Sequence, residues 1–147
     1  MSNSKVEFRH DVHSLEVPVV SGALDIYVGD NINYNANGFA KAASDTATEK
    51  FAGIAMEELH VSATENSAAG KYAIKVLPAH AGNVVRRKLT ATRATAIPGT
   101  DVYISKSDSA TLKEVALATV SDNAVTNNVY VGKIAAFVST TEVDVAI

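Results

Sequence analysis

The chain has no cysteine. That absence removes disulfides, thiolate zinc sites and cysteine nucleophiles together, and leaves the redox compartment undecided. Long hydrophobic runs are missing as well. The longest, Ile134 to Val138, falls far short of the roughly 20 residues that a membrane-spanning helix requires. There is no excess of positive charge: 13 Lys and Arg against 16 Asp and Glu leave a formal net charge of −3, so no global basic field recruits nucleic acid. The opening MSNSKVEFRHDVHSLEV is polar and has no hydrophobic signal core, so secretion is not expected. Catalytic signatures are lacking too. No Gly-x-Gly-x-x-Gly, phosphate loop, Gly-x-Ser-x-Gly, His-Glu-x-x-His or EF-hand loop occurs. Serine and threonine abound, but no spacing sets a base beside one. The expectation is a non-enzyme without cofactor or metal.

What is present is a period of two. Leu24, Ile26 and Val28 alternate with Asp25, Tyr27 and Gly29, and Tyr72, Ile74 and Val76 with Ala73, Lys75 and Leu77. Val102 and Ile104 flank Tyr103, Val129 and Val131 flank Tyr130, and Val143, Val145 and Ile147 close the chain. Such alternation between turn-forming clusters marks half-buried strands, which favour antiparallel pairing. With 147 residues, 47% hydrophobic and 20% charged, the chain suits one folded domain. We expect an all-β domain over 15–147, a small β-barrel or tulip-like sandwich, preceded by an extended arm over 1–14.

Two stretches compete for helix. In EKFAGIAMEEL, Phe51, Ile54, Ala55 and Leu59 have helical spacing, yet they also read as a buried strand. Gly53 in a helix would cost about 1 kcal/mol against alanine, which favours the strand. LKEVALATV (Leu112 to Val120) stays open between the two. Ser62 to Lys71 and Ser121 to Asn128 read as long polar loops, exposed and able to reach a partner.

One device is written twice. Gly29-Asp30, and Gly99 followed by Asp101, each open a short strand carrying a tyrosine, Tyr34 or Tyr103. A polar turn follows (Asn35 to Gly38; Ser107 to Ala110), then a brief return (Phe39 to Lys41; Leu112-Lys113). Later comes a strand with an internal glycine, Gly53 or Gly132. Glycine with aspartate makes a tight turn, and a strand glycine marks a bulge or bend that curls a sheet. The repetition implies two similar hairpin units facing each other.

The order LDIYVGDNINYNANGFAKA, FAGIAMEEL, YAIKVLP, IPGTDVYISKSDSATLKEV and YVGKIAAFVSTTEVDVAI resembles that of the capsid decoration, or cement, proteins of tailed bacteriophages. The likeness runs over most of Leu15 to Ile147, with lengthened spacers at Ser62 to Lys71 and Ser107 to Asn128 as departures. No single motif in it is specific; their order is. The resemblance implies a protein made in the host cytoplasm that sits as a homotrimer on the outer face of the virion head. There it would bind the major capsid protein at three-fold and quasi-three-fold junctions and stabilise the shell, with neither nucleic acid nor membrane as partner.

Candidate contact residues follow. Lys5, Val6, Phe8, Arg9 and His10 in the arm could add to a partner's sheet edge by main-chain pairing. Arg86, Arg87, Lys88 and Arg93 concentrate positive charge, either as a patch docking on acidic capsid surface or as a solvated face. On a strand, Arg86 and Lys88 share one side and Arg87 and Leu89 the other. Tyr27, Tyr34, Tyr103 and Tyr130 alternate with the aliphatic set and suit a trimer interface or packing at a barrel end. His10, Asp11 and His13 lack a third ligand group nearby, and His60 and His80 stand alone. The rival readings are a virion-surface barrel recognising carbohydrate or a host receptor, and a hydrolase. The long loops carry no aromatic platform for the first, and the catalytic constellations needed for the second are missing. Deleting Met1 to Val12 tests the arm: shell affinity should fall, and an unchanged affinity would dispose of that role.

Overall fold

The computed structural model describes residues 14–89, 97–104, 114–117 and 129–147, and of 114–117 the backbone alone. Among these residues every regular element is a strand. The first half holds β1 (Leu15–Pro18), β2 (Leu24–Ile26), β3 (Asn31–Tyr34), β4 (Ala40–Ala42), β5 (Lys50–Ala55), β6 (Leu59–Val61) and β7 (Ala73–Pro78). The second holds β8 (Val84–Leu89), β9 (Asp101–Ile104), β10 (Glu114–Leu117), β11 (Tyr130–Phe137) and β12 (Glu142–Ala146). The protein is all-β, as the alternation predicts. Both stretches that competed for helix contain strands, β5 with β6 and β10.

Pairing reveals the same unit twice. In the first, strands lie in the order β1-β7-β5-β3-β4; in the second, β8-β12-β11-β9-β10 follow the same order. The second set runs round in a ring, because β10 is antiparallel to β9 and parallel to β8. The ring-closing pair Leu89–Val115 has a counterpart in the first unit, the isolated parallel bridge between Val19 and Ala40. β2 and β6 form a separate two-stranded ribbon, with Asp25 opposite His60.

Register makes the equivalence residue by residue. Gly53 pairs with Ile32 and Phe51 with Asn33, so Ala52 is passed over; Gly132 pairs with Val102 and Tyr130 with Tyr103, so Val131 is passed over. Each unit therefore has a bulge immediately before its strand glycine, which sharpens the twist a small closed sheet needs. The entry turns agree as closely. The Gly29 and Gly99 amides each donate at 2.8 Å, to the carbonyls of Ala55 and Ile134. The Ala55 and Ile134 amides each return a bond at 2.9 Å, to Asp30 and Thr100. The structural partner of Asp30 is thus Thr100, where the sequence suggests Asp101. Asp30 accepts from the Tyr27 amide at 2.9 Å, whereas Asp101 takes the Lys133 ammonium at 2.6 Å.

The strand glycines are there for a stronger reason than bending. A Cβ on Gly53 would stand 2.0 Å from the Leu77 carbonyl oxygen, and one on Gly132 would stand 2.0 Å from that of Ala146. The neighbouring strand fills the space a side chain would need.

Two buried clusters result. Val17, Val19, Ile26, Ile32, Ala40, Ala52, Ile74 and Val76 fill the first unit. Leu89, Val102, Ile104, Val129, Val131, Ile134, Val143, Val145 and Ile147 fill the second, and Ala43, Phe51 and Ile54 of the first unit join them. Burying Phe51 and Ile54 there stabilises the junction by about 2 kcal/mol each. The two units share a core. The turn between them is short, with His80 and Gly82 both at positive φ.

Gly53→Ala and Gly132→Ala should each lower unfolding free energy by about 2–3 kcal/mol, the cost of overpacking against backbone. Gly82→Ala, at φ +81° but in open space, should cost about 1 kcal/mol. Urea denaturation of the three variants checks the ranking.

Candidate functional site

The predicted sites disperse in three dimensions. Lys5, Val6, Phe8, Arg9 and His10 lie outside the described residues, as do Arg93 and the loop over 121–128. Arg86, Arg87 and Lys88 stand on β8, where alternation separates them. Arg86 is exposed and its Nε donates to Asp144 at 3.1 Å. That carboxylate raises the guanidinium pKa further. Lys88 is exposed on the same side. Arg87 is a correction to the basic patch: it is buried, and its Nη2 donates to the Gly29 carbonyl at 2.7 Å. It fills the place that Val17 holds in the first unit, facing Val143 across the register as Val17 faces Ile74. Its charge fastens one unit to the other and is withdrawn from docking.

The tyrosines divide likewise. Tyr34 is half-buried and packs against the first core. Tyr103 and Tyr130, opposite one another on β9 and β11, meet edge to face with centroids 6.0 Å apart. Tyr27 is half exposed and lies edge-on to His60, centroids 4.7 Å apart. The loop over 62–71 is held to the body at its centre: Asn66 is fully buried and donates through Nδ2 to Val20 O at 2.7 Å and Gly22 O at 2.9 Å.

What sequence reasoning missed, Tyr27 apart, is the exposure of the turn tips. Tyr27-Val28 precedes Gly29, and Ile97-Pro98 precedes Gly99; the two dipeptides are structural counterparts. Tyr27 is 49% exposed, Val28 54% and Ile97 70%. Met56, whose amide follows the Ala55 that anchors the first turn, is 44% exposed. The signal was in the sequence as an apolar pair before a turn glycine in both copies. Its meaning required knowing that the turn points outward.

Beside the first tip sits a polar group on the ribbon. His60 Nδ1 is hydrogen-bonded to Asp25 Oδ1, and Nε2 lies 3.5 Å from Glu58 Oε2. The bond to Asp25, aided by its charge and that of Glu58, raises the imidazole pKa above the ordinary 6.5. Among the described residues no group of three or more such side chains could hold a metal ion. The trio ties β2 to β6.

A second polar group is interior. Glu49, buried under the turn that follows β4, receives Ser44 Oγ at 2.5 Å and Lys41 Nζ at 3.2 Å. The Asn33 amide donates to Ser44 O at 2.9 Å and lies 3.4 Å from Glu49 Oε1. These bonds satisfy a carboxylate that would otherwise be costly to bury. They also fix the 43–49 segment over the outer side of β3.

Comparison with known proteins finds no matching family model, no matching curated protein and no matching solved structure.

Two outcomes are expected. His60 gains a partner on folding, so its contribution to stability is complete below the unfolded value near 6.5 and disappears as pH rises through the raised folded value. Melting temperatures of the protein and of His60→Gln should therefore differ in acid and converge in alkali. Glu49→Ala should cost about 2 kcal/mol by urea denaturation, since hydrogen bonds to a buried charge are lost. Lys41→Met, at a side chain one-third exposed, should cost less.

Proposed function

We propose that this chain is a capsid decoration protein of a tailed phage. It binds the outer surface of the head as a homotrimer at three-fold and quasi-three-fold junctions and stabilises the shell. The observation that carries this reading is the duplicated turn, which offers an exposed apolar tip once in each unit, Tyr27-Val28 and Ile97-Pro98. The two tips are held by matching pairs of backbone bonds, so little conformational freedom is lost when they dock. Adhesion through linked, rigid, apolar points suits a protein whose work is to hold neighbouring subunits together.

The energetics also favour a symmetric site. A trimer engages three equivalent patches at once, and linked contacts multiply apparent affinity by about 10²–10⁴. A ligand that binds only the assembled lattice stabilises that lattice by mass action. The resemblance in the order of strand motifs to decoration proteins supports the same partner, the major capsid protein.

Expanded heads of the phage that encodes this chain, emptied of DNA, provide the test. The protein should co-sediment with them and raise the temperature at which they rupture. A Val28→Ser/Ile97→Ser double variant should bind at least about tenfold more weakly, a loss of about 1.4 kcal/mol, with its own melting temperature kept. Wild-type protein left in the supernatant would refute the function. Undiminished binding of the double variant would refute the role of the tips.

A further inference from the structure

The two units agree in strand order, register and turn, but one face meets different surroundings in each. In the first unit Phe51 and Ile54 on β5 are 5% and 8% exposed, because they pack into the cluster that fills the second unit. Their counterparts on β11 are Tyr130 and Lys133. Tyr130 is 38% exposed, and the Lys133 side chain 56%. Tyr103 lies against Tyr130, and Lys133 is paired with Asp101 at 2.6 Å. The face that the first unit buries inside the chain is left open on the second.

The other side of the junction is also present twice. Val85, at the start of β8, packs against the shared cluster. Its counterpart is Leu15 at the start of β1, since Val85 pairs with Val145 of β12 and Leu15 with Val76 of β7. Leu15 is 43% exposed. Among the described residues the chain therefore carries a covered junction between its units, and exposed counterparts of Phe51 and Ile54 on one side and of Val85 on the other.

We propose that a second copy of this chain covers these halves. The Leu15 end of one molecule docks on the Tyr103–Tyr130 face of the next, repeating head to tail the contact that joins the two units within a chain. A tyrosine and a paired lysine in place of Phe51 and Ile54, with Tyr103 in place of Asn33, suit a contact that forms and separates in water, since interfaces between chains are richer in tyrosine and more polar than cores. Such a contact is heterologous, so it generates a ring when its rotation closes. The proposal takes from the decoration reading only the number three. Three chains joined this way place six like units around one axis.

The test is a mixing experiment read by sedimentation equilibrium. Wild-type protein should associate beyond a dimer at about 100 μM, a concentration that populates even weak specific contacts. Tyr130→Glu and Leu15→Glu, each damaging one half, should each be monomeric alone. Mixed in equal amounts they should form a heterodimer and nothing larger, because each pair retains one undamaged junction. Tyr27→Glu, on a turn tip, should associate as wild type does. Melting curves confirm that each variant is folded, and Leu15→Glu keeps the test intact should Tyr130→Glu fail to fold. Wild-type protein that stays monomeric overturns the proposal, as does association unaffected by Leu15→Glu, or a mixture of two folded variants that stays monomeric. A monomer that still decorates shells overturns this inference and the homotrimer but leaves the docking on the shell; a ring that ignores shells overturns only the function proposed above.

Discussion

At two places in this protein a carbonyl oxygen crowds the point where a side chain would begin. The Leu77 oxygen lies 2.0 Å from where a Cβ of Gly53 would stand, and the Ala146 oxygen 2.0 Å from that of Gly132. Much else depends on that close approach. It lets β7 and β12 lie tightly against the bulged strands β5 and β11, and the bulges curl both sets of five strands: β10 pairs with β8 in the second, and the first comes together at the single bridge Val19–Ala40. Curling turns Ile32, Ile74 and Val76 inward in one unit, and Val102, Val143 and Val145 inward in the other. Glycine is required at both positions because backbone, which has no rotamer to yield, fills the space.

From this shared frame the units have diverged on their outer sides. β3 carries Asn31 and Asn33 outward, and the 43–49 segment sets a polar network around Glu49 against Asn33. β9 carries Asp101 and Tyr103 at the corresponding places, with the ion pair to Lys133 and the ring of Tyr130 beside them. At the inward position where the first unit has Val17, the second has Arg87. Buried arginine is tolerated because its guanidinium reaches the Gly29 carbonyl across the junction. Frame and function thus lie on different links: the frame in glycines and aliphatic alternation, the adhesive surface in the outward residues.

The frame was legible in the sequence. Period-two runs marked β7, β9, β11 and β12, and the repeated glycine turn followed by a glycine-bearing strand announced two like units. The return suggested at Leu112-Lys113 lies outside the described residues, and the strand described next to it is Glu114–Leu117. The outward surface was much less legible. Alternation put Arg87 on the side of Leu89, yet its charge argued for solvent, and only the neighbouring unit supplies the carbonyl that makes burial affordable. Nothing local says that Phe51 is covered while its counterpart Tyr130 is open, or that Asp25 lies opposite His60 on a ribbon. Burial of an outer face depends on what packs over it, which local periodicity does not encode.

The shared core makes a demand of its own. Phe51 and Ile54 belong to the second unit's cluster, so neither unit should open without the other. Native-state hydrogen exchange measures this directly, through the amides of Ala55 and Ile134, which make the same bond in the two units. The account predicts that both exchange only through global unfolding, with equal free energies and equal sensitivity to denaturant. If one of them exchanged through a smaller, separate opening while the other stayed protected, the two units would be independent bodies, contradicting the account.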